Sequence, residues 1–197
     1  MTTSKSLDRQ NYMFLDKSNQ VLIKKKGEIN GKNFKIKNLN NCEVYLLDFT
    51  SGIFIDNCDD CKFIIAPCDG SVYMRTSNRC TISIITKQMR FRETYDIKVN
   101  LYCISDPVIE SSKGMVFGPF DYKLPYLDEL FHKANFKKNE NKYEKVYDFC
   151  PSLDENTNWR LAFKEEVVLK EFNAGLYGID CENKDLYEEY KDEVYMK

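Results

Sequence analysis

The segment Lys87-Gln88-Met89-Arg90-Phe91-Arg92 holds the residues best suited to chemistry. In a strand, successive side chains alternate between two sides. With Met89 and Phe91 turned toward a core, Gln88, Arg90 and Arg92 face outward together, setting two guanidiniums and an amide in a row. A guanidinium is permanently charged and presents its donors in a planar fork, so such a row can neutralise and orient anionic oxygens. A solvated basic edge, common on any sheet, is the alternative reading of the same residues. Other chemistries find little support. There is no glycine-rich phosphate loop and no nucleophile elbow, and a single histidine, His132, leaves Ser/His or Cys/His catalysis without a natural base. Cys58-Asp-Asp-Cys61 has the spacing of half a zinc site, but a structural site takes four ligands and His132 lies in another segment, so no metal is expected.

What must position the row is a repeat. Asn40-Asn41-Cys42, Asp59-Asp60-Cys61 and Asn78-Arg79-Cys80 recur at a spacing of 19, each followed by alternating apolar residues. A spacing of 17 continues the series through Tyr95-Asp96-Ile97 to Gly114, giving five units. Six residues before each landmark stands another apolar position: Ile36, Ile55, Met74, Phe91 and Val108. Two short strands and a polar corner, such as Lys37 to Asn41, are too short for a helical repeat and predict one coil of a parallel β-helix. Coils stack about 4.8 Å apart. The inward files are Cys42, Cys61, Cys80, Ile97 and Val44, Phe63, Ile82, Val99, and an outward file is Glu43, Lys62, Thr81, Lys98. Stacked thiols in the bore pack as small hydrophobes, which accounts for three of the eight cysteines without disulfide or metal. In the same register, Arg90 follows Lys35, Phe54 and Tyr73, an aromatic run on which a guanidinium can lie.

Past Asp121 the pattern changes. Leu127, Leu130, Phe131 and Ala134 have helical spacing after Pro125, which predicts a small α-helical cap against the outside or the end of the coil, with His132 on it. The lone tryptophan, Trp159, is expected to pack back onto the coil face. The expected organisation is therefore an N-terminal extension over 1–20, an all-β coil domain with its capping segment over 21–172, and an acidic tail over 173–197. With 29 basic and 31 acidic residues the net charge is -2, so no overall field points at nucleic acid or an acidic membrane, although a local basic patch is compatible with that balance. No apolar run approaches the roughly 18 residues of a membrane span. Thr2 is not the glycine of a myristoylation signal, and Tyr195-Met196-Lys197 is not a prenylation box, so no direct membrane anchor is expected. The cysteines are read as reduced, in the cytoplasm.

The coils, the stretch Thr86-Lys-Gln-Met-Arg-Phe-Arg92, Asp106-Pro-Val-Ile-Glu-Ser-Ser112, Phe117-Gly-Pro-Phe120 and Asn158-Trp159 together resemble the tubulin-binding cofactor C domain family, and within it the retinitis pigmentosa 2 branch, over roughly residues 20–172. The resemblance implies a right-handed parallel β-helix acting in trans as a GTPase-activating protein. Its partner would be a GTP-bound Arf-like small GTPase in ciliary trafficking of lipidated cargo, at the basal body or cilium, or else tubulin in the cofactor C branch. Arg90 matches the arginine finger, Gln88 the glutamine beside it, and Arg92 and Glu110 positions facing the GTPase. Lys87 stands where the family usually has a second glutamine, which leaves room for a noncatalytic, GTP-dependent effector or scaffold. Lys87, Tyr73 and Phe54 complete the expected partner-binding face. GTP and Mg²⁺ would belong to the partner, and the chain is expected to act as a monomer without a cofactor of its own.

Overall fold

The computed structural model describes residues 10–153 and 157–179, so the greater part of the expected acidic tail lies outside the described residues. Its organising feature is a pair of left-handed backbone positions three residues apart on every coil. They are Asp16 and Asn19, Asn38 and Asn41, Asn57 and Asp60, Thr76 and Arg79, Glu93 and Asp96, and Ser111 and Gly114. Asn and Asp tolerate this conformation because their short polar side chains bond locally, whereas other L-residues lose about 1–2 kcal/mol there. The corner side chains also bond along the stack. Asn38 Nδ2 donates to Asp16 at 2.6 Å, Asn57 Nδ2 to Asn38 at 2.9 Å, and the Arg79 fork to both oxygens of Asp60 at 2.7 and 2.8 Å.

Each pair of corners joins two strands, and the strands stack in parallel into about six coils. The first coil is β1 (Met13–Ser18) and β2 (Val21–Lys24), and the second is β3 (Asn33–Asn40) and β4 (Glu43–Leu46). β5 (Thr50–Asp59), β6 (Lys62–Arg75), β7 (Thr81–Arg92) and β8 (Lys98–Cys103) form the middle, with β6 and β7 each bending from one sheet into the next. β9 (Val108–Glu110) and β10 (Met115–Pro119) close the sixth. The coil thus begins at Met13, inside the segment expected to be an N-terminal extension. The fold is the expected parallel β-helix, and the inward files are buried as read: Cys42, Cys61 and Cys80 are no more than 3% exposed, and Val44, Phe63, Ile82 and Val99 are at 0%. The three thiols are free, with Sγ donating to backbone carbonyls, and Cys58 and Cys61 both lie buried in place of any half zinc site.

One register differs from the sequence reading. Phe91 pairs with Ile109, which is buried, while Val108 pairs with Arg90 and faces outward. The last step is 18 residues long because Gly114 takes the left-handed corner (φ 68°), and Met115 follows Ile97 into the bore. A Cβ on Gly114 would come within 2.3 Å of Asp96 Oδ1, so the glycine is required by space as well as by backbone angle.

The two sheets differ in what covers them. Tyr45, Leu47, Ile64, Ala66, Ile85 and Tyr102 point outward from the sheet containing β4 and β8, yet they are buried under a second apolar cluster. That cluster comes from β11 (Tyr122–Lys123), helix α1 (Leu127–Lys133) and the residues after it. As expected, α1 lays Leu127, Leu130 and Phe131 on the outside of the coil, while His132 is exposed. Asp121, 3% exposed, pins the cover: it accepts from Ser83 Oγ at 2.6 Å and from Lys170 Nζ at 2.6 Å. The chain then returns to the end of the stack. β12 (Tyr147–Asp148) pairs with β9, β13 (Trp159–Leu161) pairs with β10, and β14 (Lys170–Glu171) pairs with β11. Trp159 therefore extends the sheet at its edge, where the expectation had it lying on the coil face. Its ring meets Phe117 edge-on at 6.2 Å, closing the bore with apolar surface that would otherwise face water.

Candidate functional site

The sheet containing β3, β5, β9 and β12 is the uncovered one. Its central outward column runs Met13, Lys35, Phe54, Tyr73, Arg90, Val108 and Tyr147 through successive registers. Met89 and Phe91 are buried at 0% and 1%, so Gln88, Arg90 and Arg92 share the outer side, as the alternation predicts. The Arg90 guanidinium carbon lies 5.8 Å from the Tyr73 ring centre, and Tyr73 stacks on Phe54 at 5.5 Å with 7° between the planes. The aromatic pair gives the guanidinium a flat, preordered seat without neutralising it. Ser71, one register above, donates to Gln88 Oε1 at 2.6 Å. The amide oxygen is thereby engaged, and the amide N–H donors of Gln88 are turned to the exposed side.

The other arginines show how Arg90 differs. Arg75 is held by both oxygens of Asp56 at 2.7 and 3.1 Å, Arg79 by Asp60, and Arg160 by Glu166 at 2.7 and 2.8 Å. Hydrogen bonds to these carboxylates push all three guanidinium pKa values above their ordinary value. Arg92 is loosely placed between Glu93 at 3.4 Å and Glu110 at 3.8 Å. Among the described residues, Arg90 makes no ion pair. Its positive charge is exposed and free to meet an anion brought by another molecule.

Lys87 precedes the row at the bend, half-buried, and its carbonyl accepts from Ser105 N–H at 3.1 Å. Glu110 is beside Arg92 in register, at the edge of the row. Below Arg90, the face continues in residues that the repeat could not reveal. Tyr147 and Phe149 are 55% and 58% exposed and meet edge to face at 4.9 Å, next to Val108 and Glu110. They arrive through a two-residue strand from a distant segment, and the only sequence signal for them was an apolar patch around Val146 to Pro151. Among the described residues, no group of three or more potential ligands could hold a metal ion. Burial pushes the Cys58 thiol up to about 12, so that sulfur is a packed hydrophobe and a poor nucleophile.

Fold and face together define a class: a parallel β-solenoid with one bare sheet that holds an unpaired arginine on an aromatic seat. The chain belongs to the Tubulin binding cofactor C family, whose pattern it matches over residues 31–149. It is 33% identical to Protein XRP2 of Danio rerio over 163 residues, 83% of this chain and 43% of that protein. It is 24% identical to Tubulin-specific chaperone C of Homo sapiens over 155 residues, 78% of this chain and 45% of that protein. The chain thus spans less than half the length of these relatives. A solved structure, Tubulin Binding Cofactor C from Leishmania major, superimposes with a TM-score of 0.57 at 18% identity, covering 82% of this chain and 96% of that one, and agrees in fold.

Proposed function

We propose that this chain activates GTP hydrolysis on a small GTPase of the Arf-like kind, inserting Arg90 in trans beside the bound nucleotide. The observation that carries the reading is the Arg90 guanidinium, exposed, without a carboxylate partner and seated on Tyr73. In phosphoryl transfer the protein positions water and neutralises charge on the β- and γ-phosphate oxygens, and a trans arginine contributes roughly 10³–10⁵ in rate. A rigid sheet face supplies that charge with little reordering on binding. Gln88 N–H donors, Arg92 with Glu110, and the aromatics on either side of Arg90 would form the contact with the GTPase, which brings the GTP and Mg²⁺. The test is single-turnover hydrolysis by GTP-loaded Arf-like GTPases with and without the chain. Acceleration in its presence supports the reading, and an intrinsic rate throughout defeats it.

Lys87 favours a second reading, a GTP-dependent effector that binds on the same face without accelerating turnover, since the family usually has glutamine there. Preferential binding to the GTP-loaded form at an unchanged hydrolysis rate would select it. The relatives named as tubulin-specific chaperones raise a third partner, tubulin, which the same assay with tubulin as the GTPase separates.

A further inference from the structure

The two ends of the solenoid carry different charge. Residues 10–40 contain seven lysines, no arginine and only two acidic residues. Lys17, Lys25, Lys32, Lys35 and Lys37 are exposed and Lys24 is half-buried. Among the described residues, Lys26, bound to Glu129, is the one lysine of this segment in an ion pair. The two acids are engaged elsewhere: Asp16 accepts from the Asn38 amide at 2.6 Å, and Glu28 from the backbone N–H of Lys25 at 2.5 Å. These lysines sit on the first two coils, where β1 and β2 pair on one side only among the described residues.

Charged residues on a terminal strand protect it against edge pairing, but protection does not require one sign. The opposite end shows this. Residues 157–171 carry Arg160, Lys164 and Lys170 against Glu165, Glu166 and Glu171. Arg160 is clamped by Glu166, Lys170 by Asp121 at 2.6 Å, and Lys123 binds Glu171 at 2.7 Å. The N-terminal end holds an unbalanced positive charge that no carboxylate of the fold takes up.

We infer that the N-terminal end of the solenoid is a peripheral contact surface for an anionic lipid bilayer. The lysines lie on β1, at the end of β2, in the turn after it and along β3, so they spread over the end of the coil and are not gathered in one groove. A planar sheet of negative charge meets them together, whereas a single extended strand of nucleic acid does not. Their type agrees: lysine is a hydrated point charge suited to attraction by headgroups, while the planar fork of arginine suits defined phosphate or base contacts. Four to eight clustered basic residues are the usual sequence signature of such a surface. The contact is electrostatic and needs no acyl chain. It also has a consequence for orientation: Arg90 stands three registers beyond Lys35 in one column, about 14 Å along the axis at the usual strand spacing. A protein docked on the bare face would then sit beside the bilayer. The inference is independent of the GTPase reading.

The experiment is co-sedimentation of the full chain with large unilamellar vesicles of phosphatidylcholine alone or with about 30% phosphatidylserine, at low and high salt. Binding to the phosphatidylserine vesicles should exceed that to phosphatidylcholine at least about tenfold at low salt, and should collapse at about 0.4 M salt, where screening is strong. The triple variant Lys32→Glu, Lys35→Glu, Lys37→Glu should lose about tenfold or more, and Lys→Gln at the same positions should lose part of that. Lys133→Glu on α1 should change nothing. Far-UV circular dichroism shows whether each variant is folded, and the Gln variant is read if the Glu variant is not. Equal binding to both vesicles, no binding, or unaltered binding by the folded triple variant would overturn the inference. So would displacement from vesicles by millimolar inorganic phosphate, or preferential binding to single-stranded RNA over phosphatidylserine vesicles.

Discussion

Two sheets of the same solenoid share strand direction, spacing and bore, yet one is covered and the other is bare. On the covered sheet the outward positions include Tyr45, Ile64, Ile85 and Tyr102, and the chain's own α1 and β11 lie on them. On the bare sheet the outward positions are Lys35, Phe54, Tyr73 and Arg90, and nothing among the described residues lies over them. Continuous apolar side chains gain about 25 cal/mol per Å² when removed from water, so an outward apolar column draws an intramolecular cover. A column that mixes aromatic rings with an unpaired guanidinium cannot be covered by an apolar helix without burying a charge, which is costly. It remains available to a partner that brings the opposite charge. The chemistry of the outward columns, more than the backbone, assigns one sheet to stability and the other to recognition.

The comparison breaks most sharply at Arg90. If the bare face delivers a finger, Arg90→Ala should lower stimulated single-turnover hydrolysis by about 10³-fold or more while leaving affinity for the GTP-loaded partner within a fewfold. Stimulation that survives the substitution would move the catalytic role elsewhere. Next comes a matched pair of phenylalanines. Phe131→Ala, under the cover, should cost about 3–5 kcal/mol in denaturant unfolding. Phe54→Ala, 43% exposed on the bare face, should stay within about 0.5 kcal/mol, and its effect should appear in complex formation. Equal losses of stability at both sites would erase the distinction between the sheets.

A finer test concerns the seat of the guanidinium. An exposed cation–π contact is worth about 0.5–1 kcal/mol, so Tyr73→Leu should slow stimulated turnover by about two- to fivefold at unchanged affinity. A drop in affinity with turnover intact would instead make Tyr73 a docking residue. The smallest effect belongs to the end of the stack. The Arg160 guanidinium and the Phe163 backbone N–H hold Glu166 down to about 2, below its ordinary value. A carboxyl depressed on folding contributes stability above its unfolded pKa of about 4.3 and loses it as pH falls through the folded value. The fluorescence of Trp159, on β13 beside this pair, should therefore change between about pH 4.3 and 2, and Glu166→Gln should remove that change.

Much of this was legible because a β-helix writes its tertiary register into the chain. The spacing of 19 and 17 residues with alternate burial predicts that Gln88, Arg90 and Arg92 face outward and that Tyr73 and Phe54 precede Arg90 in one column, and the pairing agrees. Register slipped where the repeat changed length. At Gly114 a left-handed corner lengthens the last step by one residue and puts Ile109 in the bore in place of Val108. At the start, 22 residues separate Asn19 from Asn41, because the loop before β3 interrupts the period, and the first coil was hidden although Asp16 and Asn19 anticipate Asn38 and Asn41.

Tyr147, Phe149 and Trp159 belong to neither rule. Strands of two and three residues carry no periodic signal, and their neighbours β9 and β10 lie some forty residues earlier in the chain. Alternation and repeat length alone determined the bore, the corners and the outward row, since each depends on contacts one coil away. Only the folded chain decided which sheet is covered, that Arg90 has no carboxylate beside it, and which aromatics complete its face. Those outcomes depend on where non-repeating segments come to rest, and that is settled by competition for the exposed edges and apolar columns of the finished stack.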